Sequence, residues 1–163
     1  MIEIIEGKDK YKVKLTAVSS GEELTIIISG GEKPHIGAIA ISIPRPSLKD
    51  SNIASASTSI FTLTGHKEDE LSKQIAENIT KLTEKVTVAI VGVHIDKATP
   101  QEIECLIQNT QKTVNKLRKI LIKKKDNFLK KEREVNTSKI LKVIWGVVLA
   151  VIYLQAIDNS RRW

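Results

Sequence analysis

The sequence predicts an α+β fold, in which a mixed, mostly antiparallel sheet is covered on one face by two helices. Three observations lead to this prediction. Residues Tyr11 to Val18 alternate between apolar and polar, which is the period of a half-buried strand. Further β-branched runs follow, and two segments with helical spacing come after most of them. A sheet that buries one apolar face against helices accounts for this order.

Four predicted strands precede the first predicted helix. Leu24 to Ser29 is a β-branched run and predicts the second strand, with residues 19–22 as its hairpin loop. His35 to Ile43 and Ala54 to Leu63 predict two more strands. The Pro44-Arg45-Pro46 sequence between them has two residues that cannot donate to a sheet ladder, so it must be a loop or an edge.

Two helices and a last strand complete the predicted domain. The first helix has acidic residues in its first turn, where the helix dipole favours them, and an apolar face made of Leu71, Ile75, Ile79 and Leu82. Val86 to Val93 is a compact apolar strand. Thr99 to Glu102 is a capping box with proline at the first helical position, which predicts the start of the second helix. The second helix has an apolar face that continues through Ile103, Leu106, Ile107, Val114, Leu117 and Leu121.

Charge divides the chain into two parts. Residues 1–111 hold 12 Lys and Arg against 15 Asp and Glu, net −3, whereas residues 112–163 hold 14 against 4, net +10. The basic part predicts either an anion-binding surface or a solvated helix face. Cys105 is the only cysteine, which fits a reducing, cytoplasmic location, and the first residues lack the long apolar stretch of a signal peptide.

We therefore expect three segments: a domain over residues 1–118, a basic helical extension or linker over residues 119–138, and a hydrophobic C-terminal helix over residues 139–163. Asn136 to Ser138 predicts a break before that helix. Ile140 to Ile157 is 18 residues long, near the lower limit of about 17 for crossing a bilayer. It is either a membrane anchor, with the basic run on anionic cytoplasmic lipid, or a core or oligomerising helix.

Glycine and histidine residues lie near the ends of the predicted strands. Gly31 follows a strand and forms either a hairpin turn or a close backbone approach to a ligand. Pro34 stiffens the backbone at His35, and Gly37 leaves room for a ring or a phosphate. His94 and Asp96 end a later strand, and such loop positions on a rigid scaffold commonly carry function.

Two further groups are candidates for binding a phosphate. Arg45, Ser47 and Lys49 combine a guanidinium fork, a hydroxyl and a point charge in a proline-bounded loop, although the same loop can be a plain solvated surface. The hydroxyls of Ser55 and Ser57 can line a shallow surface, although small strand residues also occur where a helix packs closely. His66 and Lys67 precede a helix N-terminus, where unpaired N–H groups attract an anion, whereas Glu68 and Asp69 oppose an anion there and are alternatively helix caps.

An enzyme is the alternative hypothesis. His35, His66 and His94, together with Asp96, include the ligand types of a zinc or iron site, but none has the spacing of a metal motif. If they converge, a small metal-assisted or acid–base enzyme acting on a phosphorylated substrate is the expected class. Nucleic acid is not an expected partner, because aromatic residues make up only 4% of the chain and offer no stacking platform beside the basic tail.

Five separated motifs resemble the prenylated-flavin chaperone (LpdD-like) family over roughly residues 8–118; they are PHIGA from Pro34, PRPSLKD from Pro44, SAS from Ser55, GHKED from Gly65 and HID from His94. The resemblance implies an accessory protein that holds or delivers prenylated flavin mononucleotide for UbiD-type decarboxylases. From the residues themselves we expect His35, Arg45, His66 and His94 to converge in one cleft. A homo-oligomer is a further expectation.

Overall fold

The computed structural model describes residues 1–63 and 68–160, and the side chains of all of these except residues 147, 148 and 150–160. The chain divides into two compact units, Met1–Ile122 and Lys123–Trp163. The elements, in chain order, are β1 (Ile2–Glu6), β2 (Val13–Ser20), β3 (Glu23–Gly31), β4 (Ala38–Pro46), β5 (Ala54–Thr62), α1 (Asp69–Thr83), β6 (Thr87–His94) and α2 (Pro100–Ser160).

The sheet has six strands in the order β1-β2-β3-β6-β4-β5. Strands β3 and β6 pair in parallel, and the other neighbours pair antiparallel. The predicted α+β class, with its mixed and mostly antiparallel sheet, is therefore confirmed. Strand β6 lies between β3 and β4, so the hairpin turn considered at Gly31 is wrong.

One face of the sheet forms the core. The register aligns Ala17, Ile26, Ala89 and Ala40 across four neighbouring strands, and all four are buried. Helix α1 contributes Ile75, Ala76 and Ile79 to the same cluster, and α2 contributes Leu106, Val114 and Leu117. Because the paired alanines are small, a helix can approach this part of the sheet closely. Both predicted amphipathic helices therefore cover the same face, as expected.

The start of α2 has the predicted capping box. The backbone N–H of Thr99 donates to Glu102 Oε2 at 2.8 Å, and the backbone N–H of Glu102 donates to Thr99 Oγ1 at 3.3 Å. Glu102 also accepts a hydrogen bond of 2.5 Å from Lys10. This ion pair attaches the first turn of α2 to the segment between β1 and β2, so the cap also fixes where the helix begins against the sheet.

The proline-bounded sequence is part of a strand. Pro44 and Pro46 pair with β5 residues, whereas β6 pairs only with Ala38 to Ser42 of β4. The missing proline N–H groups therefore fall where β4 has a neighbour on one side only, and the predicted edge position is confirmed. Strand β1, in contrast, was not predicted, because its five residues carry only a short alternation.

The predicted helix break at residues 136–138 is wrong, because α2 continues through it to Ser160. Thr137 remains within the helix by donating its hydroxyl to the carbonyl of Arg133 at 2.8 Å, which satisfies the side chain without breaking the backbone pattern. Among the residues that the structure describes, no helix is both long and apolar enough to cross a bilayer. The membrane anchor stays a prediction, since more than half of the side chains of residues 140–157 lie outside the description.

Candidate functional site

The ends of β3 and β6 and the approach to β4 meet at one end of the sheet. Gly31 pairs with His94 across the parallel strands, and the backbone N–H of Glu32 donates to the His94 carbonyl at 2.7 Å. Gly31 has a φ of +82°, and a side chain there would collide with the His94 carbonyl. Glycine at this position therefore allows the two backbones to come together.

A second glycine admits the segment that carries His35. A side chain at Gly92 of β6 would collide with the carbonyl of His35, and the backbone N–H of Gly37 donates to the Val91 carbonyl at 2.9 Å. The chain from His35 to Gly37 thus crosses directly over Gly92 before β4 begins. This crossing places His35 beside His94.

The two histidine rings are in contact. Their centroids are 5.8 Å apart, and the planes meet at 87°, an edge-to-face arrangement. His94 Nε2 lies 2.9 Å from Asp96 Oδ1, and Lys33 forms an ion pair with the same carboxylate. The hydrogen bond from Lys33, and then that from His94, hold the pKa of Asp96 below its usual range. Because an ionised carboxylate only accepts, Nε2 of His94 is the protonated nitrogen.

His35 is positioned from both sides. Its Nδ1 donates to the carbonyl of Lys33 at 3.0 Å, and its Nε2 lies 3.4 Å from Glu68 Oε1. Glu68 is the N-cap residue of α1, so this contact connects the helix to the histidine pair. A Cβ added at Gly37 would lie 2.5 Å from Glu68 Oε2. The space that Gly37 was predicted to leave for a ring or phosphate is therefore occupied by the Glu68 carboxylate.

A cavity of about 580 Å³ opens beside this cluster, between α1 and α2. His94 and Glu68 belong to its lining, which joins the cavity to the histidine pair. The remaining lining is mostly apolar and comprises Glu70, Leu71, Gln74, Val93, Ile95, Ala98, Ile103, Leu106, Ile107 and Gln111. An apolar cavity of this size with a few polar groups is typical of a site for a small organic ligand.

Arg45 does not join this site. It lies seven residues along β4 from Ala38, roughly 23 Å away at about 3.3 Å per residue. There Arg45 donates from Nε to Ser57 Oγ at 3.0 Å and from Nη1 to the Pro46 carbonyl at 2.9 Å. Ser55 is paired opposite Arg45, and Ser47 accepts from the backbone N–H of Lys49 at 3.3 Å in the adjoining loop. The expected convergence of Arg45 with the histidines is therefore wrong.

His66 and Lys67 lie outside the described residues, so their predicted place in the cleft is untested. Among the side chains that the structure describes, no group of three or more His, Cys, Asp or Glu is arranged to hold a metal ion. The structure thus brings together Gly31, His35, Gly37, His94 and Asp96 of the predicted site residues. It places Arg45, Ser47, Ser55 and Ser57 at the other end of β4.

Sequence reasoning missed the part that four residues play at the site. Lys33 was not considered, although its charge near Asp96 could have drawn attention once β3 and β6 were known to be neighbours. Glu68 was expected to oppose an anion or to cap the helix, and its contact with His35 was not predicted. Ile103 and Ile107 were assigned to the apolar face of α2, but they line the cavity, and Ile103 remains 49% exposed. An apolar stripe on a helix does not reveal which part of it faces a void.

The fold and the site define a small α+β domain with a mostly apolar cavity between its two helices. A family model described as the prenylated flavin chaperone LpdD-like domain matches residues 7–122. The chain therefore belongs to this family, and its class is that of a prenylated flavin chaperone. A search among curated proteins gave no match.

Proposed function

We propose that this chain holds prenylated flavin mononucleotide in the cavity between α1 and α2 and delivers it to a UbiD-type decarboxylase. The observation that carries the proposal is the cavity of about 580 Å³ whose lining includes His94 and Glu68. The cofactor supplies its chemistry in the decarboxylase. The task of this chain is to bind it, orient it and release it.

The cavity suits a planar, mostly apolar ring system. Its volume falls within the roughly 300–1,000 Å³ of ordinary ligand sites, where apolar walls carry a few polar groups. Leu71 of α1 and Ile103 and Ile107 of α2 supply apolar surface from both helices. Gln74 and Gln111 supply amide groups that can both donate and accept, which matches the mixed polar edge of a flavin.

His94 provides an oriented polar group at the cavity. Its Nε2 proton is held by Asp96 at 2.9 Å, and Asp96 is held in turn by Lys33. With Nε2 donating to Asp96, the uncharged tautomer of His94 has Nδ1 as its acceptor, and the carboxylate fixes the direction in which the ring points. A ring held in one orientation loses little entropy when a ligand binds.

The phosphate of the cofactor requires a cation that the described lining does not include. Glu68 and Glu70 both belong to that lining, and their charge disfavours an anion nearby. Lys67 immediately precedes Glu68 in the sequence, so we assign it the phosphate contact, with His66 beside it. Both were predicted as cofactor contacts because anions bind where a helix begins.

Co-expression tests the proposal. The full chain is produced together with a prenyltransferase that makes prenylated flavin, purified, and examined by visible spectroscopy and by mass spectrometry of the released chromophore. We expect bound prenylated flavin in about one equivalent per site and a clear reduction in Lys67→Ala. Protein that purifies colourless under conditions where the cofactor is made would overturn the proposal.

Delivery requires a second experiment. The loaded chain is mixed with a cofactor-free UbiD-type decarboxylase, and decarboxylase activity is followed against an equal concentration of free cofactor. We expect faster or more complete activation from the loaded chain. Equal activation by free cofactor would leave binding intact and would contradict delivery.

A further inference from the structure

A second, smaller cavity lies in the groove between α1 and α2, next to the cavity proposed for the cofactor. Its volume is about 220 Å³, and Leu71, Gln74 and Gln111 line both cavities. Four residues of its lining carry side-chain amides, namely Gln74, Asn78, Gln111 and Asn115. We call this cavity the amide groove. Its position beside a ligand-sized cavity raises the question of what it binds.

We propose that the amide groove binds a phosphate monoester whose carbon chain carries hydroxyl groups, with Arg118 as the phosphate contact. Arg118 lines the groove, and no acidic residue among those that the structure describes lines it. The side chain of Arg118 forms no hydrogen bond or ion pair with another described residue, so its donors remain available to a ligand. The guanidinium fork matches two oxygens of a phosphate group.

The amides favour a ligand with hydroxyl groups over a bare anion. The side chains of Asn78, Gln111 and Asn115 have no partner among the described residues, and each amide can both donate and accept a hydrogen bond. Gln74 donates from Nε2 to Glu70 Oε1 at 3.0 Å, which leaves its carbonyl oxygen as an acceptor. Inorganic phosphate would use the donors alone, whereas hydroxyl groups use donors and acceptors together.

Charge differs between the two cavities. Glu68 and Glu70 line the larger cavity, whereas Arg118 lines the amide groove, seven residues and about 10 Å along α2 from the shared residue Gln111. A phosphate is therefore favoured at the Arg118 end. A free sugar phosphate supplies the required chemistry, and so does the ribityl phosphate tail of the cofactor if it extends past the shared lining; this second source alone rests on the proposed function.

Two measurements on the full chain test the proposal, each with wild type, Arg118→Gln and the control Lys119→Gln. Lys119 is the next residue of α2, is exposed and does not line the groove, so its substitution removes the same charge elsewhere. The first measurement is calorimetric titration with ribitol 5-phosphate in the absence of flavin. The second is retention of prenylated flavin after co-expression. We expect Arg118→Gln to weaken at least one of them about tenfold and Lys119→Gln to change neither.

The pattern of losses identifies the source of the phosphate. Weaker titration with normal flavin retention in Arg118→Gln identifies a free sugar phosphate as the ligand. Reduced flavin retention in Arg118→Gln identifies the cofactor tail, and the phosphate contact then lies at Arg118 and not at Lys67. An Arg118→Gln variant that changes neither measurement, or no more than Lys119→Gln does, would overturn the proposal. Titration that depends on Arg118 in a chain that takes up no flavin would contradict the proposed function only.

Discussion

At the scale of single residues, the site depends on hydrogen bonds that orient one imidazole. Asp96 contacts both Lys33 and His94. Nothing in the sequence associates Lys33 with Asp96, because 62 residues lie between them. The sequence places His94 and Asp96 together at a strand end, and both stay predicted cofactor contacts. It could not predict that Lys33 would hold the carboxylate, because that contact exists only when β3 and β6 are parallel neighbours.

Asp96→Asn should weaken cofactor binding through His94. The asparagine amide is uncharged and forms no ion pair with Lys33. It can also turn its NH₂ group towards Nε2 of His94, so the preferred orientation of the imidazole is lost. We expect the dissociation constant to rise roughly two- to tenfold. His94→Ala and the double variant should give nearly the same loss as each other, because Asp96 acts through His94. Fully additive losses in fluorescence titrations would show that Asp96 contacts the cofactor independently.

Glu102 makes the stability of the domain depend on pH. Lys10, and then the backbone and hydroxyl of Thr99, lower the pKa of Glu102 from 4.5 to about 2. A depressed pKa gives stability that is present above pH 4.5 and is lost as the pH falls towards 2. Glu102→Gln should therefore lower the melting temperature at neutral pH, and the difference from wild type should shrink in that acidic range.

Glu104→Gln is the control for this experiment, because Glu104 is an exposed residue of the same helix that accepts a hydrogen bond only from Gln108 among the bonds of the described residues. It should leave the melting curve nearly unchanged at both pH values. A constant difference between wild type and Glu102→Gln down to pH 2 would contradict the assigned cause.

At the scale of elements, the sequence predicted five of the six strands and both helix starts, because alternation, helical spacing and the capping box are local signals. The sequence did not predict the order of the strands in the sheet. The insertion of β6 between β3 and β4 depends on which edges pair after the chain has folded back. The distance between Arg45 and the histidines has another cause, since β4 continues through Pro44 to Pro46 and carries Arg45 to its far end. The cavity also escaped prediction, since Ile103 and Ile107 have the same spacing as core residues.

Gly92→Ala should disturb the crossing of the chain over β6. The added methyl group would collide with the carbonyl of His35, and this backbone must shift to admit it. We expect a loss of about 1–3 kcal/mol in the free energy of unfolding, the usual cost of overpacking, measured by urea denaturation. Gly146→Ala, where no atom lies within 4 Å of the added group, should not destabilise the protein. Equal effects of the two substitutions would contradict the proposed steric reason.

At the scale of the whole molecule, the chain joins a folded domain to a basic helical segment. The unit Met1–Ile122 contains the sheet, α1 and the cavity. It also contains all of the family match, which covers residues 7–122. The predicted domain division at residue 118 lies close to this boundary. Residues 123–163 hold 10 Lys and Arg against 4 Asp and Glu, a net charge of +6 out of the +7 of the chain, so the properties of the basic segment and those of the domain should be separable.

Removal of residues 123–163 should leave a folded, cofactor-binding domain. The core cluster lies entirely within residues 1–122, and we expect the melting temperature of the truncated chain to stay within roughly 2 °C of the full chain. Differential scanning calorimetry provides the measurement. Aggregation or loss of the cooperative transition would show that the C-terminal segment covers part of the domain core.

The central claim is that the cofactor occupies the cavity between α1 and α2. The most direct test is the ratio of visible chromophore absorbance to protein absorbance for Ala98→Leu and Ala54→Leu, both co-expressed with the prenyltransferase. Ala98 lines the cavity and Ala54 is exposed at the start of β5, so the same added volume fills the site in one variant only. We predict at least about a fivefold loss in Ala98→Leu and wild-type retention in Ala54→Leu. Wild-type retention in a folded Ala98→Leu variant would contradict the account.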